Sequence, residues 1–388
     1  MKKTSIKMHI FFICLCFFCT AEVFADQMYS PTWGYYLDLP EGFSLIENQG
    51  VNRYSFEHFL APISFLIASY FPERYADATQ VMQATFNNLS LAGETVNLQN
   101  QKNDTVVAQF SMQFGNEEYM GWAIAVVLPG EKGTTLVMSY APTQYFIQYE
   151  QLIISALDSF STDESALYSP GLMTAFAFPK EGDESKTLNV DTVSVTVTLD
   201  KSDIDANTFV VEREYAVLTI LAETELWKQA WQRYYRMIYK DAYTRLQRAA
   251  FSLYGALASK LQTVSNEDFN RALTQTLLTW VQGFEYARMP LATDFTPLPA
   301  ALIGYGSDCD SRALLLAVLM SHMKYKTMLF VSREYSHAFF GIAIEGDGAY
   351  LECEGVNYLL GETTAFVDLG LIPQNMSETS KWIGIDGL

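Results

Sequence analysis

Between Val106 and Phe114 the side chains alternate: Val106, Ala108, Phe110, Met112 and Phe114 on one side, Val107, Gln109, Ser111 and Gln113 on the other. That two-residue period predicts a half-buried strand. Turn signals at Pro40-Glu41-Gly42 and Pro129-Gly130-Glu131-Lys132-Gly133 set off further strand-like runs, among them Trp122 to Leu128 and Thr135 to Tyr140. The rhythm then changes, with Phe146, Tyr149, Ile153, Leu157 and Phe160 recurring at helical spacing. Residues 26–162 are therefore expected to form an antiparallel sheet covered by helices. The stretch 163–207 is mixed and holds one clear alternating run, Val193 to Val197; it reads as a connector or a small added strand layer. From 208 onward the chain is nearly free of Gly and Pro, and Trp227, Trp231, Tyr234, Tyr235, Ile238, Ala242 and Leu246 repeat every three or four residues. Such a stripe predicts a long helix whose aromatics pack a core. Ser265 followed by Asp268 matches a helix-starting capping box and predicts a further helix to about Gly283.

The N-terminus follows a different plan. Lys2, Lys3 and Lys7 precede an apolar run from Ile10 to Cys19, and the segment ends Val23-Phe24-Ala25. A basic start, a short apolar stretch and small residues at the end describe a secretory signal over residues 1–25. The run is about ten residues, against the roughly 20 that a membrane-spanning helix requires, so no transmembrane helix is expected in the mature chain. Periplasmic or secreted localisation follows. A lipoprotein processed at Cys19 is the rival, and bulky Phe18 before that cysteine argues against it. Removing three Lys and one Glu with the signal leaves 22 basic and 43 acidic side chains, a formal charge of -21. A surface so poor in clustered Lys and Arg does not favour nucleic acid. With Cys14, Cys16 and Cys19 gone, only Cys309 and Cys353 remain, too few for a disulfide framework. No Cys or His pair has metal-ligand spacing, and neither metal nor cofactor is expected.

One segment carries candidate chemistry. Gly304-Tyr305-Gly306-Ser307-Asp308 leads into Cys309-Asp310-Ser311-Arg312, and an apolar run from Ala313 to Met320 follows. Glycines make the turn, and the run behind them is a buried helix, which puts Cys309 at its N-terminus. There the helix dipole and unpaired N–H groups favour a thiolate and are placed to hold an oxyanion. The plain alternative is an inert core cysteine. As a base, His322 lies thirteen residues further along the same helix, roughly 20 Å away at about 1.5 Å per residue, out of reach. His58, among Phe56, Phe59 and Leu60, reads as structural. His337 opens the strand-like run His337-Ala338-Phe339-Phe340-Gly341-Ile342 after the strand Thr327 to Val331, a path that returns the imidazole toward Cys309.

Asp-Cys-Asp opening an apolar helix, followed about thirty residues later by His-Ala-aromatic opening a strand, resembles bacterial members of the transglutaminase-like (papain-like) superfamily of cysteine hydrolases; Val281-Gln282 ahead of the cysteine loop is also similar. The resemblance covers about residues 265–388. It implies a papain-type α+β domain and a third, acidic residue that orients the histidine. Tyr358-Leu359-Leu360-Gly361-Glu362-Thr363-Thr364 fits best, with Glu362 where the family has Asp and Thr363 where it has Pro; Glu352 and Glu354 are rivals. Gln282 is the implied oxyanion donor, and Cys353 a bystander. Separately, Trp33 to Phe43 resembles the first hairpin of PsbP-like α/β domains. The expected fold class is α+β: a PsbP-like sheet domain over 26–162, a connector over 163–207, and over 208–388 a helical segment with the transglutaminase-like domain. The expected function is hydrolysis of an amide or peptide bond in an exported peptide or protein substrate through Cys309, His337 and Glu362. Asp310 stands where cross-linking relatives carry an aromatic, and no calcium-binding loop is visible, so hydrolysis is favoured over cross-linking. A non-catalytic envelope binding or assembly protein is the alternative, since a fold by itself implies no activity. N-terminal sequencing of exported material is expected to begin near Asp26; recovery of a lipid-modified Cys19 would overturn that assignment.

Overall fold

The computed structural model describes residues 27–98, 103–287 and 293–385; the expected signal, residues 1–25, lies outside them. The chain is mixed α+β, with antiparallel sheets and helices. In the N-terminal unit, β1 (Met28–Tyr29) and β2 (Tyr36–Leu37) precede β3 (Phe43–Gln49), β4 (Arg53–His58) and β5 (Ser64–Tyr70). Then come α1 (Ala78–Leu89), β6 (Ala92–Asn97), β7 (Thr105–Phe114), β8 (Glu117–Leu128), β9 (Gly133–Pro142), α2 (Thr143–Asp158) and β10 (Phe160–Ser161). Seven strands form one antiparallel sheet in the order β3-β4-β5-β9-β8-β7-β6, and β10 returns to pair with β2.

Both faces of this sheet are covered. Ala123 and Ala125 of β8 meet Val81 and Met82 of α1, whereas Ile124 and Val126 meet Ile153 and Leu157 of α2. The alternation on β7 is real, yet Val106, Val107 and Ala108 are all buried, because each face has its own helix; at the far end Phe114 runs past both and is 76% exposed. The half-buried strand expected from the pattern is thus buried on both faces at its start and exposed at its end.

After α3 (Leu172–Ala177), β11 (Asp183–Val190) and β12 (Val193–Asp200) form a hairpin whose Val195, Val197 and Leu199 join the C-terminal core beside Tyr235 and Leu246. Within the 163–207 stretch, β11 and β12 thus add a strand layer to the C-terminal core. Two helices follow, α4 (Asp203–Leu221) and α5 (Trp227–Lys260); at 34 residues α5 is about 51 Å long. The rest comprises α6 (Asn266–Gln282), α7 (Leu298–Leu302), α8 (Cys309–His322) and the strands β13 (Thr327–Ser332), β14 (His337–Ile342), β15 (Tyr350–Cys353), β16 (Val356–Gly361) and β17 (Ile383–Ile385). These five strands make an antiparallel sheet in the order β15-β16-β14-β13-β17. Helix α8 is buried from Ala313 to Met320, packed on Leu329, Val331, Phe340 and Leu359 of the sheet and on α5. Each such leucine or valine stabilises by about 1.5–3 kcal/mol through burial.

The two halves meet through buried ions. Arg213 of α4 bonds Asp158 at the end of α2 (2.6 Å) and Glu214 (2.7 Å), and Arg233 of α5 also pairs with Glu214; these side chains are 1% exposed. Asp158 in turn accepts from the backbone N–H groups of Met173 and Thr174 at the start of α3. Lys240 donates to the Asp158 carbonyl and the Ser161 hydroxyl, and burial pushes its amine down to about 8. Burial alone would raise the Glu214 carboxyl, but Arg233 and Arg213 outweigh it and hold the group ionised. Removing one partner leaves a buried charge uncompensated. Arg213→Ala is expected to cost about 3–5 kcal/mol in urea unfolding, whereas Arg248→Ala, which breaks an exposed pair with Asp183, costs under about 1 kcal/mol; equal losses would show that the seam does not hold the halves together.

Candidate functional site

Cys309 is the first residue of α8, and Asp308 caps the helix, its Oδ1 accepting from the Ser311 N–H at 3.2 Å. The sulfur is free, and Cys309 is 7% exposed. The backbone N–H groups of Ala338 and Asp310 are near enough to the sulfur to pull its pKa down, so the sulfur lies near the start of β14, where His337 stands. His337 follows Ser336, whose φ of 47° closes the turn from β13 in the left-handed region, and pairs with Ser332 across the hairpin. Its Nε2 is 2.7 Å from Glu362 Oε2, which leaves Nδ1 as the ring nitrogen for the thiol.

Glu362 comes directly after β16, which neighbours β14 through Phe340 and Gly361. Its second oxygen accepts from the N–H and hydroxyl of Thr364, at 2.7 and 2.6 Å. Burial by itself raises this carboxyl, but the His337 bond and charge and the Thr364 donors prevail and keep it below its ordinary value. The structure brings Glu362, and neither rival, to the imidazole. Glu352 is on β15, separated from β14 by the whole of β16, and Glu354 sits in the β15–β16 turn with φ of 51°.

Gln282 is engaged differently from the oxyanion role that the resemblance implies. Its side-chain amide donates to the carbonyls of Glu362 (2.8 Å) and Val367 (2.9 Å), so both amide hydrogens hold the acid-bearing loop and neither is free for an oxyanion. In the first turn of α8 the Ser311 and Arg312 N–H groups are taken by Asp308, so the Cys309 and Asp310 N–H groups are the better-placed donors. Cys353 lies on β15 with its sulfur against Gly384 of β17, where any Cβ would meet it at 2.7 Å; the edges of the five-stranded sheet curl toward each other there. His322 hydrogen-bonds the Tyr243 carbonyl at 2.7 Å and packs on that ring, and His58 bonds the Glu41 carbonyl and accepts from the N–H groups of Leu60 and Ala61. Among the described residues no group of His, Cys, Asp and Glu is arranged to hold a metal, and no helix is long and apolar enough to cross a membrane.

Sequence reasoning overlooked the electrostatics of Asp308 and Asp310. The two carboxyls flank Cys309 and interact directly; Asp308 is buried, and Asp310 accepts from the Tyr235 hydroxyl at 2.7 Å. Burial first, then Asp310, pushes Asp308 up to about 9. Burial, Asp310 and Asp308 likewise push the Cys309 thiol up to about 12 against the pull of its two N–H donors. These groups favour the neutral thiol over the thiolate. The Asp-Cys-Asp spelling was the available signal, since two acids around one buried residue cannot both ionise cheaply.

Asp308 also links the site to stability. Its folded pKa lies above the unfolded value, so the folded chain keeps a proton that the unfolded chain releases; that stabilisation is complete below about pH 4 and is lost as pH climbs toward 9. Asn caps helices as well as Asp does and does not titrate. Asp308→Asn is expected to gain stability relative to the parent between pH 5 and pH 9 in urea midpoints. Parallel pH profiles would refute the raised Asp308 pKa.

No family profile matches the sequence, and no curated protein matches it. Among solved structures, the chain is similar to the cyanobacterial PsbP protein CyanoP from Synechocystis sp. PCC 6803, at 13% identity and a TM-score of 0.29 over 37% of this chain and 95% of that one. It is also similar to the Ran-binding protein Mog1p of Saccharomyces cerevisiae (10% identity, TM-score 0.27, 36% and 96% covered). LpqN of Mycobacterium tuberculosis, described as involved in cell envelope biogenesis, is a further neighbour (9% identity, TM-score 0.25, 34% and 87% covered). PsbP-like proteins are thus weak structural neighbours of the N-terminal part.

Proposed function

We propose that the protein is an exported cysteine hydrolase of the transglutaminase-like type that cleaves an amide or peptide bond in a peptide or protein substrate. The observation that carries this reading is the 2.7 Å contact of His337 Nε2 with Glu362, with the neighbouring Ala338 N–H acting on the Cys309 sulfur. Attack by the Cys309 sulfur on a carbonyl carbon is accompanied by transfer of the thiol proton to His337 Nδ1. Glu362 fixes the ring and stabilises the imidazolium so formed. Oxyanion charge falls at the N-terminus of α8, where N–H groups and the helix dipole oppose it. His337 then returns the proton to the leaving amine, and water, deprotonated by the same imidazole, releases the acyl group. Export places the available substrates in the cell envelope or outside the cell.

The second reading is a binding or assembly module with an inert cysteine, and the upward shift of the Cys309 thiol favours it. Labelling with iodoacetamide near neutral pH separates the two, with Cys353 as internal reference. In the hydrolase reading His337→Ala slows Cys309 labelling by at least about tenfold, general-base assistance being worth about 10²–10⁴, and Glu362→Gln slows it less because the amide still holds the ring. Labelling of Cys353 stays unchanged. Equal Cys309 rates in the parent and His337→Ala would sink the hydrolase.

A further inference from the structure

Arg312 is a cation that the proposed chemistry does not use. It sits one turn into α8 and is 1% exposed; the charges of Asp308 and Glu362 act on it, but the hydrogen bonds described for it go to no carboxylate. Its guanidinium donates instead to three neutral oxygens: Nε to the Ser307 hydroxyl (3.1 Å), one terminal nitrogen to the Thr363 carbonyl (3.2 Å), the other to the Phe284 carbonyl (2.8 Å). A guanidinium taken out of water without a carboxylate is costly, and leucines fill the next turns of the same helix. Each acceptor is informative. Ser307 precedes the Asp308 cap and Cys309; Thr363 follows Glu362; Phe284 ends the segment beyond Gln282. The Thr363 hydroxyl closes the ring by donating to the Cys309 carbonyl at 3.3 Å.

We propose that Arg312 is the positioning residue of this site: its planar fork locks the cysteine loop, the acid loop and the end of α6 into one register, so that Glu362 holds His337 toward Cys309. The proposal rests on reading Cys309 and His337 as a reactive pair. Arginine suits the task because a rigid fork with five donors fixes several acceptors at once, whereas a lysine ammonium is a point charge on a flexible stem. Gln282 completes the arrangement by holding the Glu362 and Val367 carbonyls of the same loop.

A double-mutant cycle on iodoacetamide labelling of Cys309 tests it. In the parent, His337→Ala slows labelling at least tenfold; in an Arg312→Met background, already slow and still folded by circular dichroism, the same change is expected to cost less than twofold. A structural role without positioning would leave the His337 effect equal in both backgrounds, and that result overturns the proposal while sparing the hydrolase. No His337 effect in the parent overturns both. If Arg312→Met does not fold, Arg312→Lys, which keeps the charge and loses the fork, replaces it in the cycle. There the His337 effect is expected to shrink at least threefold, and an undiminished effect refutes the fork.

Discussion

The C-terminal half depends on the complete burial of α8. A helix with leucines on nearly every side has to be surrounded, and α5, α6 and the sheet β13–β17 are the surround. That constraint puts its first turn inside the protein as well, where unpaired N–H groups and the dipole need partners. Asp308 supplies two of them, its carboxylate accepting from the Ser311 N–H and its carbonyl from the Arg312 N–H. The features that make the site chemically capable are the same ones that let the helix be buried.

The electrostatic balance around Cys309 is a compromise. Its N–H donors favour a thiolate; low dielectric and the two acids oppose it, and the opposition prevails. Retention of a proton by Asp308 removes one of the two negative charges that would face the sulfur. Glu362 contributes at longer range, since its charge acts on the imidazole and is felt at the sulfur only through the ring. The surroundings of Cys309 therefore favour the neutral thiol.

What was legible in the sequence follows from what periodicity and short spacing can express. The alternation on β7, the spacing of Phe146, Ile153 and Leu157 on α2 and the apolar run of α8 each announce an element, because burial repeats every two or three to four residues. Glu362 came from resemblance, and its contact with His337 is a pairing across 25 residues. The polar contacts that bind the site together were not legible. Arg312 reaches carbonyls 28 and 51 residues away, and Gln282 reaches carbonyls 80 and 85 residues away; a backbone carbonyl has no residue type to advertise it. The seam between Asp158 and Arg213, 55 residues apart, was hidden for the same reason.

Helix α5 carries Arg233, committed to the seam, two residues before Tyr235, which holds Asp310 beside the cysteine. One rigid rod thus has neighbouring turns answerable to both halves of the molecule. Shuffling the C-terminal half onto a different partner domain would take Asp158 from Arg213, Ser155 and the Asp38 carbonyl from Arg233, and both acceptors from Lys240, leaving Glu214 to the two arginines. A change of partner domain therefore requires that the acceptors at Asp158 and Ser161 be rebuilt.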